Sequence, residues 1–147
     1  MGYINKIHLY TDGGSQGNPG PGSIAILVCT HDNNLLYEFS ECIGQCTNNQ
    51  AEYKAVIKGL ELCAKYTRGQ VICFTDSELL VKHMTAVYRL KNDILRELFL
   101  EVKKNCQIFS EVLFQHTPRN HQRIQRADNL VKDAYQGRCI NKCHVNP

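Results

Sequence analysis

The chain of 147 residues has no tryptophan, only four prolines and two methionines, and no apolar run long enough to cross a bilayer. That last absence excludes a membrane-spanning helix, which needs about 20 consecutive apolar residues. The apolar core of a secretory signal is missing too, because "MGYINKIHLY" alternates polar and apolar residues like a strand. A cytoplasmic protein that does not engage membranes is expected. Repeats, low-complexity segments and linkers are also absent. The expectation is therefore a single domain over residues 1–147, with a short Cys-containing tail after about residue 137.

Cysteine is what the chain has in number, with eight residues. Cys29 and Cys73 fall in strand-like runs and Cys63 on a helical apolar stripe, so these three read as buried thiols acting as small hydrophobes. Cys42-x3-Cys46 and Cys139-x3-Cys143 are spaced more loosely than a zinc knuckle, which disfavours a structural metal. A disulfide holding down the C-terminal tail is disfavoured by a reducing compartment.

The elements follow from periodicity. Residues 3–12, "GSIAILVCT" and "NLLYEFSECIG" read as three strands joined by short turns, an antiparallel meander. Thr47 followed by Gln50 fits a capping box and starts a helix near Asn48, with Val56, Gly59, Leu60 and Cys63 on its buried stripe. "QVICFTD" is a near-continuous apolar run, typical of a central strand, and Ser77 caps the helix after it. The amphipathic "DILRELFLEVKKN", the strand "SEVLFQHTP" and the helix "QRADNLVKDAYQG" complete the order βββ-α-β-α-β-α. The expected fold is α/β, a five-stranded mixed sheet of three antiparallel strands then two parallel ones, flanked by helices.

Asp12 and Asp76 both close apolar strands, and sites in open α/β sheets form at the carboxyl ends of strands. Glu52 near the start of its helix and Asp128 at the opening of the last helix can reach the same edge. Four carboxylates in one pocket repel one another unless hard cations occupy it; Mg²⁺ takes oxygen ligands and completes its shell with substrate phosphate. Two such ions roughly 3.5–4 Å apart can activate a water and stabilise the leaving oxygen of a phosphodiester. Outside these four acids the chain carries 17 basic against 10 acidic side chains, +7, which suits a polyanionic substrate. Residues 119–143 alone hold six basic side chains against two acids.

"YTDGGSQGNPGPGSIAILV", "TNNQAEY", "FTDSELLV" and "HTPRNHQRIQRADNLV" resemble, in order and spacing, the four signature blocks of type 1 ribonuclease H. The resemblance covers nearly the whole chain. It implies a ribonuclease H-like fold and a monomeric endonuclease that cuts the RNA strand of an RNA/DNA hybrid, leaving 5′-phosphate and 3′-hydroxyl ends. The cofactor it implies is Mg²⁺, two ions with substrate, with Mn²⁺ as a substitute. The catalytic and metal-binding acids it implies are Asp12, Glu52, Asp76 and Asp128. The glycine-rich segment lacks the Gly-Lys-Ser/Thr ending of a nucleotide P-loop. On the resemblance, Gly13, Gly14 and Gly17 let the backbone approach the hybrid's minor groove, where 2′-hydroxyls mark the RNA strand. Asn18 matches a position contacting nucleic acid there, although a turn before Pro19 needs an Asn equally. Thr47 and Asn48 resemble residues that grip a DNA phosphate, at a helix N-terminus that suits an anion. Asn49 and Gln50 are within reach of bases.

The chain departs from the family in two respects. "TAVYRLKNDILRELF" runs on without the basic extra helix, the handle, of many bacterial members, so the chain is similar to compact archaeal-type ones. Substrate affinity then falls to Lys82, Arg89 and Lys91, with Tyr88 as the stacking surface in the absence of Trp. Many members also carry a loop His about ten residues before the last Asp. Here His116 ends a strand, and His121, in the polar Arg-rich loop, is the expected proton carrier. A non-catalytic hybrid- or duplex-RNA-binding module gains nothing from four clustered acids beside phosphates. A resolvase- or transposase-like nuclease shares the metals but does not need the TNNQAEY block.

Overall fold

The computed structural model describes residues 3–85 and 90–144. Strands β1 (Ile4–Ser15), β2 (Gly20–Thr30) and β3 (Leu35–Cys46) form the antiparallel meander. Helix α1 (Asn48–Cys63), β4 (Thr67–Thr75), α2 (Glu78–Met84), α3 (Asp93–Cys106), β5 (Glu111–His116) and α4 (Gln122–Tyr135) follow, and β6 (Asn141–Cys143) ends the order. The sheet has six strands, in the order β5-β4-β1-β2-β3-β6, with β4 parallel to both β1 and β5. The expected five therefore need correction. β6 is three exposed residues, "NKC", too short to carry a period, and exists only because the tail returns along β3.

Two layers cover the sheet. Ile7, Leu9, Ile24, Ile26 and Val71 pack one face against Val56, Leu60 and Cys63 of α1 and Val102 of α3. Tyr10, Ala25, Leu27 and Cys29 pack the other face against Ile124, Ala127, Leu130 and Val131 of α4. Alternation of side chains along β1 and β2 divides the residues between these two cores. Cys29, Cys63 and Cys73 are buried, as their apolar settings predict.

Helix ends are closed by the residues the sequence offers. The Thr47 hydroxyl accepts from the Gln50 amide at 3.2 Å while the Gln50 side chain accepts from the Thr47 amide at 3.0 Å, a complete capping box. Ser77 caps α2 through Leu80 N–H at 3.2 Å. At the end of α4, Gly137 takes φ +81°, and the Arg138 amide reaches back to Asp133 O at 2.9 Å, turning the chain toward β3.

Candidate active site

Parallel pairing of β1 with β4 in the register Tyr10↔Phe74 sets Asp12 and Asp76 at the same level of the sheet. β1 does not end at Asp12, as the sequence pattern suggests. It continues through Gly13 and Gly14 to Ser15, paired antiparallel with β2 as Asp12↔Ala25, Gly13↔Ile24 and Gly14↔Ser23. Two glycines score against a strand, yet here they admit a neighbour. A Cβ on Gly13 would lie 2.4 Å from the backbone C and O of Ala51 and 2.7 Å from the Glu52 amide nitrogen. The first turn of α1 therefore lies directly on β1, which carries Glu52 over the strand end. The side at which Gly13 lacks a Cβ faces α1, and the residue also lines the cleft.

Asp12, Glu52 and Asp76 each present one carboxylate oxygen, and these atoms lie within 4.8 Å of one another. Asp12 is 7% exposed. Burial first, and then the charges of Asp76 and Asp128, push its carboxyl up to about 7. Glu52 is driven well above the usual carboxylate range, chiefly by burial and then by Asp12 and Asp76. Its Oε2 is fully buried and has no hydrogen-bond partner. Asp128 stands outside the close triad on α4, near enough to raise Asp12.

Basic side chains lean on this cluster. Arg119 Nε bonds Asp76 Oδ2 at 3.0 Å, and Lys132 Nζ lies 2.9 Å from Asp128 Oδ2 one helical turn away. Sequence reasoning counted both only among the basic C-terminal residues, although the i,i+4 spacing of Asp128 and Lys132 was visible. The cleft is lined by the four acids together with Gly13, Gly14, Ser15, Asn48, Asn49, Ser77, Arg119, Val131, Lys132 and Tyr135.

The other expected residues divide. Asn49 is exposed and lines the cleft. Asn48 lines it too, with its Oδ1 accepting from the Ser15 amide at 2.8 Å and the Ser15 hydroxyl at 3.1 Å. Asn18 Oδ1 accepts from the Asn48 amide at 3.0 Å, so it ties the glycine segment to α1. The side-chain acceptors of Thr47 and Gln50 are engaged in the capping box. His121, the expected proton carrier, has a structural setting. It is the N-cap of α4, with Nδ1 accepting from the Arg123 amide at 3.2 Å and its ring stacked on Tyr10 at 5.4 Å, and it does not line the cleft. His116 ends β5, as its strand context predicts. Lys82 pairs with Glu78 at 2.9 Å, while Tyr88 and Arg89 lie outside the described residues.

Comparison with known proteins covers most of the chain. The family model described as "Reverse transcriptase-like" matches residues 10–134. Ribonuclease HI of Halobacterium salinarum is 33% identical over 129 residues, 88% of this chain and 64% of that protein. The crystal structure of RNase H1 from the same archaeon superposes with a TM-score of 0.85 at 32% identity, covering 90% of this chain and 99% of that one. LC11-RNase H1, crystallised in complex with an RNA/DNA hybrid, has a TM-score of 0.82 at 38% identity, covering 89% and 97% of the two chains. A bifunctional protein of Mycobacterium tuberculosis is 34% identical over 130 residues, and the chain spans about a third of its length, 35%. The match from Tyr10 to Ala134 takes in all four acids and the elements that carry them, and only residues 85–92 separate α2 from α3, too few to hold a handle helix; the chain belongs to the ribonuclease H family, among its compact type 1 members.

Proposed function

We propose that this chain is a metal-dependent endoribonuclease that hydrolyses the RNA strand of RNA/DNA hybrids, leaving 5′-phosphate and 3′-hydroxyl ends. The observation that carries the reading is the Asp12–Glu52–Asp76 triad, with oxygens within 4.8 Å and one buried Glu52 oxygen lacking any partner. An all-oxygen donor set of this charge fits a hard cation, Mg²⁺ with Mn²⁺ as substitute. Asp12, Glu52 and Asp76 would hold one ion, and Asp12 with Asp128 a second. When bound, the ions supply Lewis acidity for an activated water and for the leaving oxygen.

The chain's own residues do the rest. Burial and mutual repulsion raise the carboxyls of Asp12 and Glu52, and a cation bound between them would lower both and release protons. Arg119 and Lys132 neutralise Asp76 and Asp128 until then. Asn48 and Asn49, in the first turn of α1, stand where backbone amides and the positive helix end favour a strand phosphate. Asn18 positions this turn through its bond to Asn48. His121 has no part in the reaction on this reading, because capping α4 and stacking on Tyr10 occupy it. The hybrid-bound complex of LC11-RNase H1 supports the hybrid as the substrate class.

The test uses an RNA/DNA hybrid with 5′-labelled RNA beside matched single-stranded RNA, duplex RNA and duplex DNA, with Mg²⁺ or with EDTA. Internal cuts confined to hybridised RNA and abolished by EDTA are expected. Binding without cutting in either Mg²⁺ or Mn²⁺ overturns the proposal.

A further inference from the structure

Cys42 of β3 and Cys139 of the tail are both exposed, and after burial it is the neighbouring Cys139 thiol that raises the Cys42 thiol above its usual range. Three features of the fold hold them together. The turn at Gly137 directs the chain back along β3. The Ser40 amide then donates to Ile140 O at 2.8 Å, and the Ile140 amide to Ser40 Oγ at 3.1 Å, which fixes the tail one residue beyond Cys139. The Cys42 thiol itself donates to Ala134 O at 3.0 Å, at the end of α4.

The remaining cysteines are placed otherwise. Cys29, Cys46, Cys63 and Cys73 are buried, and Cys106 is half-buried against the core under α1. Cys143 sits beside the Tyr66 hydroxyl at 3.4 Å, on the far side of the β3–β6 ladder turn. The fold therefore brings together one cysteine from each of the two Cys-x3-Cys motifs, where sequence spacing directs attention within each motif.

We propose that Cys42 and Cys139 form a disulfide under mild oxidation, locking the tail and the end of α4 onto β3. With a low-molecular-weight disulfide as oxidant, the Cys139 thiolate attacks one of its sulfurs, the S–S bond breaks, and one small thiol leaves. The Cys42 sulfur, having lost its proton, then attacks the Cys139 sulfur of the mixed disulfide and expels the second small thiol. Two electrons pass from the protein thiols to the oxidant, and two protons end on the released thiols. The closed loop spans residues 42–139 and includes every element from α1 to α4, so the cross-link restricts the unfolded chain strongly. A rise in melting temperature on the order of 10 °C is expected.

The experiment treats the full chain with oxidised glutathione, alkylates free thiols, and maps peptides by mass spectrometry without reduction, alongside thermal melts. The expected result is a Cys42–Cys139 linked peptide, reversed by dithiothreitol, together with the higher melting temperature. Cys42→Ser and Cys139→Ser should each abolish both. Cys139 lies exposed in the tail, so its variant remains informative if Cys42→Ser fails to fold. Full alkylation of both residues after oxidation, a link between other cysteines, or a thermal shift that survives in Cys139→Ser overturns the proposal.

Discussion

Carboxylate oxygens of Glu52 and Asp12 lie within 4.8 Å of each other, across the contact between the first turn of α1 and the central strand at Gly13. The bare Cα of Gly13, beside Asp12 in the chain, is what admits the Ala51–Glu52 backbone so close to β1.

This pair makes metal-free stability depend on pH. A carboxyl raised on folding binds protons more tightly in the folded chain, so its contribution is fully present below the unfolded value near 4 and is lost as pH rises through the folded one. For Asp12 that upper limit is about 7. Asp12→Asn should remove its share of the slope, on the order of 4 kcal/mol between about pH 4 and about pH 8. Urea denaturation in EDTA across that range measures it, and parallel pH profiles for wild type and variant would refute it.

The same substitution separates chemistry from binding. Asp12→Asn is expected to abolish Mg²⁺-dependent cleavage of hybridised RNA while the affinity for hybrid persists, since the α1 turn is left in place. Near wild-type cutting by the variant would show the site to be misassigned.

Gly13→Ala should disturb Glu52 from behind. Its methyl group would meet Ala51 backbone atoms at 2.4 Å, and a helix backbone cannot give way as a flexible side chain can. A loss of about 1–3 kcal/mol is expected, together with a smaller rise in melting temperature on adding Mg²⁺. An unchanged fold with an unchanged metal response would show that the contact is not confining.

Arg119→Gln should strengthen divalent-metal binding in the absence of nucleic acid, because Arg119 is the cation that Asp76 already holds at 3.0 Å. The Arg119 side chain is 81% exposed, so its removal should change stability by less than about 1 kcal/mol. Titration calorimetry with Mn²⁺ reads the affinity directly. Weaker binding in the variant would make Arg119 a support for the site and not a competitor.

Glu38 offers a contrast in sign. Its buried carboxylate accepts from Arg126 Nε at 3.0 Å and from His144 Nε2 at 2.9 Å, joining β3, α4 and the tail. Burial pushes its pKa upward, but the bonds from His144 and Arg126 outweigh it and hold the group below its usual range. This contribution is present above the unfolded value and lost as pH falls through the folded one. Glu38→Gln should cost about 2 kcal/mol near neutrality and less in acid. A cost that is the same at both pH values would count against the pairing.

Much of this was legible in the residues. The meander, the capping box at Thr47, the central strand ending near Asp76 and the four acids each carry a local signal, whether period, cap or motif. What escaped depended on distant neighbours. β6 has no pattern of its own and needs the edge of β3 to exist. Gly13 and Gly14 read as loop because the partners they accommodate, Ala51 for the first and Tyr135 for the second, lie far along the sequence. His121 looked like a free loop histidine because its stacking on Tyr10 is a tertiary contact. Arg119 and Lys132 were visible as charge, but only the folded chain shows which acids they meet.

The continuation of β1 past Asp12 has a mechanical consequence. An acid on a loop can swing aside when its countercharge departs, and so shed the repulsion of its neighbours. Asp12 is stitched to β2 on both sides, by the pairings of Thr11 with Ile26 and of Gly13 with Ile24. The backbone holds the acid at its post with or without a cation, and the electrostatic tension is kept in the scaffold instead of dissipating. An arriving ion therefore finds the main chain at Asp12 already in position and has no loop to gather there.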